Sequence, residues 1–264
     1  MIRLAIRGAE ESRCQALAAR LRGASIERGS LASFDALAVL GAPGDEIDQA
    51  LQAGKPVLVA GDLPPTLLPK LVAKSHAIAA NPERYLPSRQ LIKQHLDAGK
   101  LGTPGLIRIH RWQAALEQGA LLRDLDLVRW YFQADVRVVY AVKHARSLQL
   151  HLGLAGDGMA TIDHASVPAG DAYYSLTLIG ANGAASADDH ANVQLAYQGG
   201  PVRGIRADEG IVQWVTMLQQ FIDAIASGRV DGFDRMDVAA DMRVADAIER
   251  SVATKQSIAL EGGR

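Results

Sequence analysis

The chain has 264 residues, 48% of them hydrophobic, enough to bury one large core or two small ones. Its 28 Lys and Arg balance 29 Asp and Glu without a basic stripe or a like-charge block, which argues against nucleic-acid binding and against a charged tail. Cys14 is the only cysteine, so neither a disulfide framework nor a cysteine-built metal site forms within one chain. No apolar run reaches the roughly 18 residues of a membrane span, and that of Met1–Gly8 is too short for a secretory leader. The expectation is a cytoplasmic protein with no membrane partner.

The first part of the chain alternates short apolar runs with amphipathic ones. Ile2–Ile6 reads as a strand closed by Gly8. Glu10–Arg22 follows as a helix with Cys14, Leu17, Ala18 and Leu21 on one face, and Gly23 ends it. Ala36–Leu40 is a strand ending in Gly41-Ala42-Pro43. Asp45–Ala53 is a short helix stopped by Gly54, Val57–Val59 a strand, Pro64–Ser75 a helix and Ala77–Ala80 a strand. This βαβ rhythm predicts a parallel sheet with right-handed crossovers.

Beyond Pro87 the rhythm changes. Leu91, Ile92, His95 and Leu96 mark a helix ending near Gly99, Leu106–Trp112 reads as a strand, and Leu121–Phe132 as a helix. Val136–Val142, Leu148–Leu154, Tyr173–Ile179 and Val193–Tyr197 alternate as strands of a half-exposed antiparallel sheet. Two helices close the chain, one presenting Ile211, Val215, Leu218, Ile222 and Ile225, the other Val238, Met242, Ala245, Ile248 and Val252. The fold class expected is α/β plus α+β: a parallel-sheet domain over 1–80, then an open-faced, mainly antiparallel domain over 81–264, with the closing helices free to pack back on the first.

Candidate chemistry is sparse. Asp188-Asp189-His190 with His144, His151 and His164 has metal-ligand residue types, but loop acids and strand histidines without fixed spacing predict no metal site. Asp124 and Asp126 read as helix-capping or solvent-facing acids, and Tyr85 and Trp112 as packing aromatics. The strands carry many apolar positions, among them Val136, Val138, Leu148, Leu150, Leu152, Tyr174, Leu176 and Leu178. That is more than one helix layer needs, so a homo-oligomer covering the open sheet is expected.

Several segments, in order, resemble the glucose–fructose oxidoreductase and inositol dehydrogenase family (Gfo/Idh/MocA): 35–43, 50–59, Arg84-Tyr-Leu-Pro87, Ile92-Lys93, Gly99–Pro104, Asp124–Trp130, Phe221–Gly228 and Ala247–Ser251. The resemblance implies an N-terminal Rossmann domain, a C-terminal open-sheet domain, two-fold assembly through that sheet, and oxidation of a sugar or polyol by NAD or NADP.

The family's motifs are depleted here. The turn after the first strand reads Gly8-Ala9-Glu10-Glu11-Ser12-Arg13, with Glu10 and Arg13 where the second and third glycines belong. Only Gly23–Phe34 separates the first helix from the strand at Ala36, so at most one short strand, Ala24–Glu27, fits there, and Glu27 at its end is not expected to serve as the ribose acid. About one βα unit of the family's sheet is missing. Gly61 stands at the family's catalytic lysine, Arg123 at its histidine and Gly119 at its aspartate, while Asp126 matches an acid of the family's cleft. Arginine cannot serve as a general base near neutral pH.

These losses predict no cofactor and no catalytic residue: a pseudo-oxidoreductase acting as a ligand-binding or partner subunit, beside a complete paralogue. The alternative is an NAD- or NADP-dependent sugar or polyol dehydrogenase with a rearranged site. Arg84, Tyr85, His110, Arg123 and Asp126 are the cleft candidates. Two arginines without a base predict a small anion, such as a sugar acid, as the ligand.

Overall fold

The computed structural model describes residues 1–27, 29–41, 44–61, 63–64, 66–169, 172–188, 193–197, 203–206 and 210–261. Asp62, Asp189 and His190 lie outside the described residues. The chain divides into two compact units, one of Met1–Leu86 with Glu209–Ala239, the other of Pro87–Asp208 with Ala240–Arg264. Both units are therefore discontinuous in sequence, where a single boundary near residue 80 was expected.

The first unit is built on β1 (Ile2–Arg7), β2 (Ala24–Glu27), β3 (Ala36–Val39), β4 (Val57–Val59) and β5 (Ala77–Ala79), all parallel, in the order β2-β1-β3-β4-β5. Helices α1 (Glu11–Ala18), α2 (Glu46–Gln52) and α3 (Leu68–Ala73) follow β1, β3 and β4. From β2 to β3 the chain has only a 3₁₀ turn, Leu31–Ser33, which is where the sequence runs short. β3, β4 and β5 are buried throughout, so they read as continuous apolar runs, as a sheet covered on both faces demands.

Helix α6 (Val212–Ala226) completes this core. Met217, Leu218, Phe221 and Ile222 pack with Leu4, Ile6, Leu17, Ala38, Leu58 and Ile78. Each such side chain stabilises the unit by about 1.5–3 kcal/mol relative to leaving it in water. Gln219 fastens α6 to the end of the first α-helical stretch, accepting from Arg22 N at 2.8 Å.

The second unit carries α4 (Pro87–Asp97), β6 (Pro104–Gln113), α5 (Gln118–Phe132), β7 (Val136–His144), β8 (Ser147–Leu154), β9 (Met159–Ser166), β10 (Tyr173–Gly180), β11 (Ala184–Asp188), β12 (Val193–Tyr197), β13 (Arg203–Arg206), α7 (Val238–Thr254) and β14 (Ile258–Ala259). Its sheet runs β13-β12-β11-β10-β6-β9-β8-β7-β14. The sheet is mixed: β6 pairs antiparallel with β10 but parallel with β9.

Strand alternation sorts the sheet's two faces. Ile107, Ile109, Val139, Leu150, Leu152, Ile162, Leu176 and Leu178 turn toward one core with Leu125 and Val128 of α5 and Ile248 of α7. Most of the apolar positions counted in the sequence thus serve the inner face. The outer face carries a different set: Trp112, Val138, Tyr140, Met159 and Ile179, all exposed.

Candidate functional site

In the first unit the strand order reverses between β1 and β3, and in such sheets ligands bind beyond the carboxyl ends of the strands at that reversal. Here those ends are glycines. Gly8 follows β1, Gly41 lies beyond β3 and Gly61 beyond β4. Gly8 has φ +73°, a left-handed turn that β-branched residues do not tolerate. A Cβ at Gly8 would sit 2.6 Å from Gly41 N, and one at Gly41 or Gly61 would collide with the backbone of Gly8 or Gly41. The three backbones pack against one another and leave no room for a side chain between them.

Beside these glycines, α1 opens at Glu10 without a side-chain cap, and a helix N-terminus is the end that favours an anion. Glu10 is exposed, so its charge stays in a high-dielectric medium and repels an adjacent anion only weakly. Arg13, in the same turn, lies 5.9 Å from the Trp214 ring centroid and brings an opposite charge. The ribose strand judged doubtful from the sequence is present: β2 ends on half-buried Glu27, about twenty residues past Gly8, as a ribose-binding acid requires. Ser25 Oγ donates to Glu27 Oε1 at 3.1 Å.

The second unit holds a cluster the sequence did not reveal. Asp124, read as capping or solvent-facing, is fully buried on α5. Arg111 of β6 grips it with two bonds, Nε to Oδ2 at 2.9 Å and Nη2 to Oδ1 at 2.7 Å. His164 Nε2 lies 2.6 Å from the same Oδ2. Burial alone would raise the Asp124 carboxyl, but the charge and hydrogen bonds of Arg111 and the His164 bond outweigh it and hold the group below the usual carboxylate range. The Tyr174 ring lies between two guanidiniums, Arg111 at 4.4 Å and Arg89 at 4.5 Å from its centroid. The signal available in the sequence was the inward parity of Arg111 and His164 with Ile109 and Ile162 on their strands.

The five cleft candidates fall in both units. Arg84 and Tyr85 belong to a 3₁₀ turn of the first unit, both buried, and Arg84 Nη1 is committed to Asp234 at 2.6 Å rather than to a ligand. Arg123 and Asp126 lie on α5 of the second unit, Asp126 fully buried. His110 points to the outer sheet face, where its Nδ1 lies 3.2 Å from Asp163, away from the Arg111 side of β6. Among the described residues no group of three or more His, Cys, Asp or Glu is placed to hold a metal, and no helix is long and apolar enough to cross a membrane.

A parallel sheet with a β1/β3 reversal joined to an open mixed sheet is a fold shared by solved oxidoreductases. An oxidoreductase from Sinorhizobium meliloti superposes with a TM-score of 0.80 at 13% identity, covering 97% of this chain and 99% of that one. One from Agrobacterium radiobacter, solved with NAD+, L-tartaric acid and magnesium, gives 0.76 at 14% identity, with 98% of each chain covered. In sequence, the chain is 27% identical to inositol 2-dehydrogenase 2 of Saccharopolyspora erythraea, over 97% of this chain and 87% of that protein. No family model matches the chain.

These likenesses overturn the expectation of a chain without a cofactor, since a structure of the same fold carries NAD+. The physical reason lies in the turn after β1: Glu10 and Arg13, at the positions of the second and third motif glycines, are both exposed, so neither side chain is buried in the turn.

Proposed function

We propose that the chain is an NAD(P)-dependent dehydrogenase of the Gfo/Idh/MocA kind, with a sugar or polyol as substrate. The observation that supports it is the glycine cluster at the β1/β3 reversal with Glu27 at the end of β2. Gly8 and the N-terminal end of α1 would face the pyrophosphate, and the Glu27 carboxylate would accept hydrogen bonds from the ribose. When bound, the nicotinamide accepts the hydride from the substrate carbon. Gly61 offers no side chain at the end of β4, so a lysine at that position does not take part here.

Glu27 makes the reading specific. A carboxylate at the ribose repels a 2′-phosphate, so NAD is the cofactor expected over NADP. Calorimetry should give micromolar binding for NAD and at least tenfold weaker binding for NADP. Glu27→Ala should narrow that gap. Millimolar or weaker binding of both cofactors defeats the dehydrogenase reading, and tight NAD binding without turnover of any polyol restores the ligand-binding relative.

The same reading includes a homo-oligomer. Trp112, Val138, Tyr140, Met159 and Ile179 share the outer face of the mixed sheet, and strand register brings Trp112 beside Tyr173, ring centroids 4.8 Å apart. An apolar set of this kind favours a self-complementary two-fold contact. Light scattering at micromolar concentration should show a dimer or larger species, and a monomer contradicts this.

A further inference from the structure

The end of β2 that carries Glu27 has little support from its own element. β2 is an edge strand of four residues, paired with β1. The chain from β2 to β3 holds a 3₁₀ turn and, among the described residues, no α-helix to pack that end down. Strand register sets Ala5 against Glu27, so Arg7, the last residue of β1, stands level with the chain just past Glu27.

Arg7 fills that gap with its guanidinium. Nη2 donates to the Gly29 carbonyl at 3.0 Å, and Nη1 reaches the Glu27 carbonyl at 3.5 Å. Glu46, in the first turn of α2, takes the other edge: Nε donates to Oε2 at 2.6 Å and Nη2 to Oε1 at 3.4 Å. One half-buried side chain thus ties the end of β2 to the start of α2. Arginine suits this task, because its planar fork aims several donors at once where lysine has a single ammonium. An arginine beside the ribose acid is also a group that accommodates the 2′-phosphate of NADP. Here the Glu46 carboxylate already holds it and balances its charge.

We infer, on the dehydrogenase reading above, that Arg7 is a positioning residue for the cofactor's adenosine ribose, acting through Glu27, and that Glu46 sets the choice of cofactor by withholding the Arg7 charge from a 2′-phosphate.

The test is calorimetry of the full chain with NAD and with NADP, on the wild type, Arg7→Met and Glu46→Gln. Arg7→Met frees the end of β2, so NAD affinity should fall about tenfold or more while NADP affinity changes by less than about threefold. Glu46→Gln keeps an acceptor for Arg7 Nε but removes the balancing charge. NADP should then bind about fivefold or more tighter, with NAD held within about twofold. A merely structural clamp would weaken both cofactors by the same factor, so an unchanged NAD-to-NADP ratio in either variant overturns the proposal. The Glu46 side chain is 42% exposed, so Glu46→Gln carries the test even where Arg7→Met fails to fold. A wild type that binds NAD, with unchanged ratios in the variants, defeats this inference alone. A wild type that binds neither cofactor defeats the dehydrogenase reading and this inference with it.

Discussion

The two units hold their polar chemistry in opposite ways. In the first, the candidate site is backbone: three glycines whose main chains touch, and the N-terminal end of α1. In the second, the polar groups are buried side chains, with Arg111, Asp124 and His164 locked together and Arg129 reaching the fully buried Asp241 at 3.3 Å. A backbone site tolerates changes in exposed neighbours such as Glu10 and Arg13 but no added atom between the glycines. A buried charge cluster tolerates neither the loss of a partner nor a change of its protonation.

That contrast can be broken by mutation. Asp124→Ala should have the largest effect, because it leaves the Arg111 guanidinium, with its side chain only 11% exposed, without its counter-charge. The expected loss is about 3–5 kcal/mol, read by denaturant unfolding, with faster hydrogen exchange confined to the second unit. Loss of protection in the first unit as well would defeat the separation. The same group sets an acid limit. Its folded pKa is depressed, so its contribution is complete above the unfolded value near 3.9 and fades as pH falls below that.

Gly8→Val should come next. A valine at φ +73° costs about 1–3 kcal/mol in backbone strain, and its Cβ meets the Gly41 backbone, so thermal stability should fall and NAD binding disappear together. Retained NAD affinity would show that these glycines are not the cofactor's seat. Arg3→Ala should do least. Arg3 holds Asp35 at 2.6 Å and, by side-chain and backbone hydrogen bonds, lowers its carboxyl to about 2, yet both groups are more than two-fifths exposed. Solvent screening keeps the pair's contribution small. What there is should be present above pH 4, fade between pH 4 and 2, and shrink in salt; a loss in a denaturant titration as large as that of Gly8→Val would contradict it.

Apolar runs and alternation placed β1, β3, β4, β5, β6, β7, β8, β10 and β12. They passed over β9, whose inward positions are Ala160, Ile162 and His164, and β11, whose buried side chains are Ala185 and Ala187. Small or polar inward residues leave little alternation to see. Asp124 was misplaced for a related reason: α5 is buried on nearly every side, so an acid on it does not mark the solvent face. The glycines at 8, 41 and 61 were visible, but their mutual contact is a property of three strand ends far apart in sequence. The depleted motif therefore looked more damaging than the packed glycines make it.

The chain crosses between its units three times, because Glu209–Ala239 belongs with the first 86 residues. Helix α6 supplies Leu218, Phe221 and Ile222 to a core whose strands are made at the outset. On the ribosome, the N-terminal sheet must therefore wait for more than 120 further residues before its largest apolar face is covered. Until then the apolar surface that α6 covers stays exposed to water, and the second unit's strands are synthesised during that wait. Cutting the gene at residue 86 would not release a small folded domain. A permuted chain that places 209–239 directly after residue 86 should fold its parallel sheet sooner and with less aggregation.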